Sequence, residues 1–371
     1  MRVKLKDITK FSKGTQINGK NLIDDGAYSY LNDGINPSGK WNEFNVAENT
    51  VTISEGGNSS GYVNYMNEAF WCGAHCYYLY DGPKNSKYLY YALKSQQERL
   101  FRIRSGACMP NIKKSDLGNF IIEYEKDEVR QEEVVKVLEK CELLIEDYNK
   151  KLTLLDEAVR ARFVEMFGDP VINSCQFPVQ PMTDICDIID GDRGKNYPKS
   201  EEILDDGYCL FLNAKNVTQK GFDFENCNFI TREKDDALRN GKLSRGDVVL
   251  TTRGTVGNLA YYSKNVPYEN IRINSGMVIL RMNRSILNEI YFIELFKMKL
   301  SDIKEKIASG SAQPQLPIST MNKIILMIPP LELQNQFASF VKEIDKSRSR
   351  IQKSLEASQE LFDSLMQEYF G

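Results

Sequence analysis

The chain says the same thing twice. Residues 129–168 read VRQEEVVKVLEKCELLIEDYNKKLTLLDEAVRARFVEMFG, and residues 332–371 read ELQNQFASFVKEIDKSRSRIQKSLEASQELFDSLMQEYFG. A shift of 203 residues lays Gln131 on Gln334, Val134 on Phe337, Leu152 on Leu355 and Phe167-Gly168 on Phe370-Gly371. Each stretch reads as one long helix closed by Phe-Gly, and each follows a mixed segment of strand and helix patterns. Self-similarity in this order requires that the fold be read as a repeat.

The helices show how they bury themselves. In the first, Val134, Val137, Cys141, Leu144, Tyr148, Leu152, Leu155 and Val159 recur at steps of three and four. In the second, Phe337, Val341, Ile344, Ile351, Leu355, Phe362, Leu365 and Tyr369 form the matching stripe, interrupted by Ser347, Arg348 and Ser358. Apolar residues every 3.5 positions predict a coiled coil or the seam of a two-helix hairpin. Pro329-Pro330 sets the start of the second helix, and Gly168 before Asp169-Pro170 stops the first. A helix of about 38 residues runs about 57 Å, longer than the roughly 34 Å of one turn of DNA.

The mixed segments repeat as well. AYSYLN at 27–32, TVTIS at 50–54 and HCYYLY at 75–80 read as strands, and 87–104 as helix. In the second half, YCLFLN at 208–213 answers AYSYLN and pairs Asn213 with Asn32. GDVVLTTRGTVGNLAYY at 246–262 answers TVTIS and its glycine turn. INSGMVILRM answers the third strand, EIYFIELFKM the helix, and SGSAQPQLPISTMNKIIL the closing turn and strand. The expected class is α+β, with two tandem mixed α/β modules, each followed by a long helix. The offset drifts from 181 at Asn32/Asn213 to 204 at Pro110/Pro314, so the loops differ while the helices align without a gap.

Composition excludes several classes. The N-terminus MRVKLKDITKFSKG has no apolar core of a signal peptide, and no apolar run reaches the roughly 18 residues of a membrane span. A cytoplasmic protein is expected. The eight cysteines have no framework spacing and read as reduced thiols. Cys72, His75 and Cys76 are metal-ligand types without a partner pair, so no metal is expected. Net charge is −3, but residues 129–170 hold 7 Lys and Arg against 10 Asp and Glu, and residues 1–128 hold 16 against 15. The helices carry the acid and the modules are near neutral, which argues against a binder held by phosphate contacts alone. Catalytic patterns are missing. One histidine leaves little room for His-based catalysis, Asn36-Pro37-Ser38-Gly39 is not an amino-methyltransferase motif, and Gly191–Lys195 and Gly254–Gly257 lack P-loop spacing.

Module, long helix, module, long helix resembles the specificity subunit of type I restriction–modification systems. The resemblance is carried by GDVVLTTRGTVGNLAYY, the SGSAQPQLP…PPLELQ run and the Phe-Gly helix ends. It covers essentially the whole chain and is stronger in the second half. In the first, Ser54-Glu55-Gly56-Gly57 stands where the arginine-bearing TTRGT would be. The resemblance implies target-recognition domains at 1–128 and 171–328, with spacer helices at 129–170 and 329–371 packed as an antiparallel coiled coil. It implies a non-catalytic subunit, each recognition domain reading one half of a bipartite asymmetric target in double-stranded DNA. Two adenine-N6 methyltransferase subunits would bind it, and restriction/translocase subunits would join through them. S-adenosylmethionine is then expected on the methyltransferase, ATP and Mg on the restriction partner, and no cofactor on this chain.

Base reading needs side chains with paired donors or acceptors on loops that fit a groove. In the second module these are Arg193, Lys195, Asn213, Lys215, Asn216, Thr252, Arg253, Gln313 and Gln315. In the first they are Lys13, Gln16, Asn18, Asn32, Arg104, Lys113 and Lys114. Arg253 is the sharpest candidate, because Thr252 and Gly254 beside it let backbone approach a phosphate. Two other readings stand beside this one, an enzyme with an unrecognised site and a coiled-coil scaffold that does not bind DNA.

Overall fold

The computed structural model of the chain describes residues 1–33, 35–106, 108–308 and 315–371, with 301–308 described in backbone only. It divides into two compact units. The first holds Met1–Lys151 with Ile351–Gly371, and the second holds Leu152–Arg350.

In the first unit, strand Arg2–Lys4 pairs antiparallel with Ile121–Glu123. A four-stranded sheet runs in the order Lys10–Lys13, Cys76–Tyr80, Thr50–Ser54, Val63–Met66. A three-stranded sheet runs Gly39–Trp41, Tyr28–Leu31, Phe70–Cys72, and its last pair is parallel. The pattern read as one helix over 87–104 is two, Ser86–Lys94 and Gln97–Arg102. The Asn85 side chain caps the first by accepting from the Tyr88 amide at 2.9 Å. Gln97 opens the second, its side chain donating to Gly61 O at 2.6 Å and accepting from the Val63 amide at 3.0 Å.

The second unit has the same plan. Val179–Pro181 pairs with Ile325–Met327. The four-stranded sheet is Cys186–Asp190, Met277–Met282, Val248–Thr251, Leu259–Tyr261. The three-stranded sheet is Phe229–Ile230, Cys209–Leu212, Ile271–Ile273, again with its last pair parallel. A small hairpin, Val217–Thr218 with Gly221–Phe222, is added. The helix after the third strand is Glu289–Ala308.

The two long helices are Glu128–Phe167 and Leu331–Phe370, 40 residues each. Lacking a proline start, the first is opened by Asp127, whose carboxylate accepts from the Val129 amide at 3.0 Å. Gly168 ends it at φ 73°, its amide closing on Val164 O at 2.8 Å. In the first unit Val134, Val135 and Leu138 pack with Met366 and Phe370. In the second, Val159, Phe163 and Phe167 pack with Phe337 and Val341. The start of one helix thus meets the end of the other, which is the antiparallel coiled-coil arrangement.

The first stripe needs a correction. Val137 and Leu144 are exposed, at 38% and 48%. Leu138 is fully buried and Ile145 half-buried in their place. Adjacent apolar residues at 137–138 and 143–145 offered two registers. The one adopted, 134-138-141-145-148-152-155-159, alternates steps of four and three without a slip. Val134, Cys141, Tyr148, Leu152, Leu155 and Val159 lie on it, buried or half-buried. On the second helix Phe337, Val341, Ile344, Ile351, Leu355, Phe362 and Leu365 are all buried or half-buried.

The repeated glutamines are both buried and both bonded. Gln131 donates to Tyr124 Oη and Glu125 O at 3.1 and 2.7 Å, and Gln334 donates to Ile286 O and Pro329 O at 3.0 and 2.8 Å. Each ties its long helix to the strand leading into it. Cys72 and Cys76 are buried in strands. Burial pushes the Cys186 and Cys209 thiols up to about 12, which keeps those two protonated near neutrality. Among the described residues no helix is long and apolar enough to cross a membrane.

Candidate nucleic-acid interface

In the second unit the strand register brings four loop ends to one rim. Asp190 lies opposite Val278 and Thr251 opposite Met277, so the chain leaves both neighbours of strand Met277–Met282 at the same end. The parallel pair Cys209–Leu212 and Ile271–Ile273 ends there too, with the Asn274 amide on Leu212 O at 3.1 Å. The amides of Thr252 and Arg253 both reach Gly276 O, at 2.9 and 3.2 Å. Gly191 passes so close to Asn274 that a Cβ would sit 2.2 Å from its carbonyl oxygen, so only glycine fits. Arg193, Asn213, Arg253 and Gln315 are gathered on this rim.

The first unit builds the same rim from matched hydrogen bonds. Gly73 N donates to Leu31 O at 2.8 Å and Glu55 N to His75 O at 2.8 Å, as Asn274 and Thr252 do in the second. Gly14 is the counterpart of Gly191, with Cys72 O only 1.8 Å from a built Cβ. The side chains differ. Lys13 stands where the second unit has Asp190, Glu55 where it has Thr252, and His75 where it has Gly276. An isolated bridge pairs Gly56 with Asn111 where the second unit pairs Arg253 with Gln315.

Several candidates are committed elsewhere. Asn216 is buried, accepting from Asn213 N and donating to Asp223 O and Asn226 O at 3.0, 3.0 and 2.8 Å, so it folds its loop and burial closes it to a ligand. Thr252 is buried, its hydroxyl on Gly276 O at 3.0 Å, which makes it scaffold for Arg253. The Asn213 carboxamide caps the Lys215 amide at 2.9 Å, and Asn18 caps Lys20 in the same way at 3.1 Å. Arg104 is half-buried, stacked 4.0 Å over Phe101 and donating to Asn58 O at 3.4 Å, with its Nε buried and unpartnered. Asn32 accepts a long bond from His75 N at 3.5 Å. Gln16 turns onto Ile17 O at 3.3 Å.

The charged candidates divide more clearly. Arg193 donates to Asp190 and to Ser275 O, at 3.1 and 3.2 Å. Lys13 pairs with Glu55 at 2.7 Å, and Glu55 also meets His75 Nδ1 at 3.4 Å. Lys114 sits 5.7 Å over the Phe11 ring. Arg253, Lys195, Lys215 and Lys113 are exposed, and their charged groups make no hydrogen bond or ion pair among the described residues. Arg253 is held by its backbone and open at its tip, and beside it Gly254 at φ 71° has nothing within 4 Å of a built Cβ. Gln313 lies outside the described residues.

The loop bearing Arg193 and Lys195 is fixed by Asp192. The Arg239 amide at 2.7 Å and the Gly194 amide at 2.6 Å hold its buried carboxylate below the usual range. Glu55, His75, Asn111 and Arg239 belong to the rims without having stood out as DNA contacts. Laying TTRGT on SEGG points to Glu55. His75, Asn111 and Arg239 emerge only once the strands are paired.

Comparison with known proteins places this architecture. The sequence matches the family described as Type I restriction modification DNA specificity domain over residues 1–155 and 177–359. A type I specificity subunit of Mycoplasma genitalium is 27% identical over 377 residues, covering 96% of this chain and 90% of that one. One from Mycoplasma pneumoniae is 25% identical over 380 residues, covering 99% and 94%. The MjaIX specificity subunit of Methanocaldococcus jannaschii is 27% identical over 301 residues, covering 76% and 67%. The crystal structure of a type I restriction-modification S subunit from M. genitalium superposes with a TM-score of 0.65 at 22% identity, covering 100% of this chain and 96% of that one. At that identity the likeness is one of fold.

Proposed function

This chain belongs to the type I restriction-modification DNA specificity family, as a non-catalytic target-recognition subunit, and from that premise we propose how its parts divide the work. Residues 1–128 and 171–328 are the recognition domains, and 129–170 and 329–371 the spacer helices. Each rim reads one half of a bipartite asymmetric target in double-stranded DNA. Two adenine-N6 methyltransferase subunits dock on the chain in the cytoplasm, restriction/translocase subunits join through them, and the cofactors stay with those partners.

One observation carries this reading. The two rims share matched backbone hydrogen bonds and carry different side chains at the matched positions: Lys13 and Asp190, Glu55 and Thr252, Gly56 and Arg253. A scaffold kept twice with its loop tips changed is what reading two unlike half-sites requires. Arg253, Lys195, Lys215 and Lys113, exposed and without a hydrogen bond or ion pair among the described residues, are the candidate side chains best able to meet DNA. The 40-residue helices, about 60 Å each, set the gap between half-sites.

The test is to map methylated adenines in cells carrying this chain and its methyltransferase partner. A motif in two halves with a fixed gap is expected. Adding one heptad to both helices lengthens each by about 10 Å and should change the gap while leaving both half-sites alone. A changed half-site with an unchanged gap contradicts the spacer role. Methylation or cleavage of DNA by the purified chain alone, given S-adenosylmethionine and Mg²⁺, would instead make it an enzyme.

A further inference from the structure

The bridge between Arg253 and Gln315 fixes more than their neighbourhood. Partners in an antiparallel bridge put their side chains on one face, with Cα atoms about 4.5–5.5 Å apart. Their neighbours Thr252 and Leu316 are buried, at 5% and 1%, and are joined by Leu316 N on Thr252 O at 3.0 Å. Alternation along each segment therefore turns Arg253 and Gln315 outward together. Both are exposed, and neither side chain has a partner among the described residues. The pair is a guanidinium beside a carboxamide, held by backbone and presented side by side.

We infer that Arg253 and Gln315 read two adjacent base pairs of the half-site taken by the second unit, a guanine through Arg253 and an adenine through Gln315. This rests on the proposal that the rims face DNA. In the major groove a guanidinium donates two hydrogen bonds to guanine O6 and N7. A carboxamide donates to adenine N7 and accepts from its N6 amino group. Side chains about 5 Å apart at their roots suit base pairs stacked about 3.4 Å apart. A neutral carboxamide beside the arginine favours base edges over phosphate, which a second cation would serve better. The near-neutral module points the same way, since phosphate attraction is a weak source of its affinity.

The first unit lacks this reader. Gly56 replaces the arginine, and the Asn111 carboxamide oxygen accepts from the Ser105 hydroxyl at 2.9 Å. The guanine–adenine preference therefore belongs to one half-site only.

The experiment uses the full chain with its methyltransferase partner on randomised duplexes, alongside motif mapping in cells. Arg253→Ala should cost about 10–100-fold in discrimination at a single guanine position, leaving the other half-site intact. Gln315→Ala should relax the adjacent adenine position. Arg253→Lys should keep affinity and lose part of the guanine preference, since an ammonium cannot make the paired contact. Both side chains are exposed, so unchanged thermal melts certify the fold. Equal weakening on every sequence, with the salt slope reduced by about 1, would make Arg253 a phosphate contact and overturn the assignment. Relaxation at two separated positions overturns it as well. If the wild-type complex itself shows no bipartite motif, the DNA-reading proposal fails, and that failure is visible before any variant is made.

Discussion

The two units share the order and pairing of their two-, four- and three-stranded sheets, the added hairpin of the second aside, yet equivalent places are filled by different physics. In the middle of the parallel edge strand of the three-stranded sheet the first unit puts Trp71, paired with Tyr30 and donating its indole N–H to Thr15 O at 2.7 Å. The second puts Arg272 there, paired with Phe211 and 5% exposed. That arginine bonds the carboxylate and backbone of Asp235, and Lys242 bonds the same carboxylate. The helix seams differ likewise. In the second unit Phe163, Phe167, Tyr291 and Phe337 form a ring cluster with centroids 4.8–5.6 Å apart. At the matched places the first unit has Met366, Phe370, Tyr88 and Val134, with one close ring pair, Tyr88–Phe370 at 5.2 Å. A fold can thus be held constant while its stabilising chemistry changes, because backbone register constrains shape at each position and leaves polarity open.

The largest expected effect sharpens the seam comparison. Phe163→Ala removes a fully buried ring and should destabilise the second unit by about 3–5 kcal/mol. Met366→Ala, at the matched position and with one aromatic neighbour pair in place of a ring cluster, should destabilise the first by about 2–3 kcal/mol. Hydrogen exchange resolved by unit is the measurement, since a two-unit chain need not unfold in one step. Equal losses would show that the aromatic cluster adds nothing beyond burial.

The second prediction concerns the charge cluster that the first unit does without. Burial alone would raise the Asp235 carboxyl, but the hydrogen bonds and charges of Lys242 and Arg272 outweigh it and hold it below the usual range. Asp235→Asn leaves Arg272 buried without its counter-charge and should cost about 3 kcal/mol. A lowered folded-state value means the stabilisation is fully present above the unfolded carboxyl value of about 3.9 and is lost as pH falls below it through the folded one. The gap between wild type and variant should therefore be flat near neutrality and close only in strong acid. A gap already closing near pH 6 would mean that another group is titrating.

How far this was legible depended on whether a feature is periodic or relational. The duplication, the Phe-Gly helix ends and most of the seam follow from spacing, and the helices run Glu128–Phe167 and Leu331–Phe370 within the segments assigned to them to a few residues. Val137 and Leu144 were misplaced because runs of adjacent apolar residues fit two registers, and only packing chooses between them. The strands were readable where β-rich runs meet glycine turns. Asn216 and Thr252 look like polar loop residues in sequence. Their side chains are consumed by backbone groups up to 24 residues away, which no local pattern reveals. The pairing of Arg253 with Gln315 and of Lys13 with Glu55 likewise depends on strands far apart in the chain.

The smallest effect tests the interruption in the second helix. Arg348 sits in the seam where its neighbours are apolar, and it donates to Asp156 of the first helix at 2.5 Å and to Asp345 of its own at 2.7 Å. All three side chains are at least a third exposed. Exposed pairs of this kind contribute about 0.2–1 kcal/mol, and salt screens them. Arg348→Ala should therefore shift the stability of the second unit by less than about 1 kcal/mol, and the difference should shrink further in about 1 M salt. A polar step in an apolar seam has a second use, since it penalises any sliding of one helix along the other that would bury the charge. Arg348→Leu should then leave stability equal or higher while loosening the register, read as a broadened range of gaps between methylated half-sites. A loss above about 2 kcal/mol in Arg348→Ala would show that this step holds the seam more strongly than an exposed pair can, and a gap that stays sharp in Arg348→Leu would remove its role in the register.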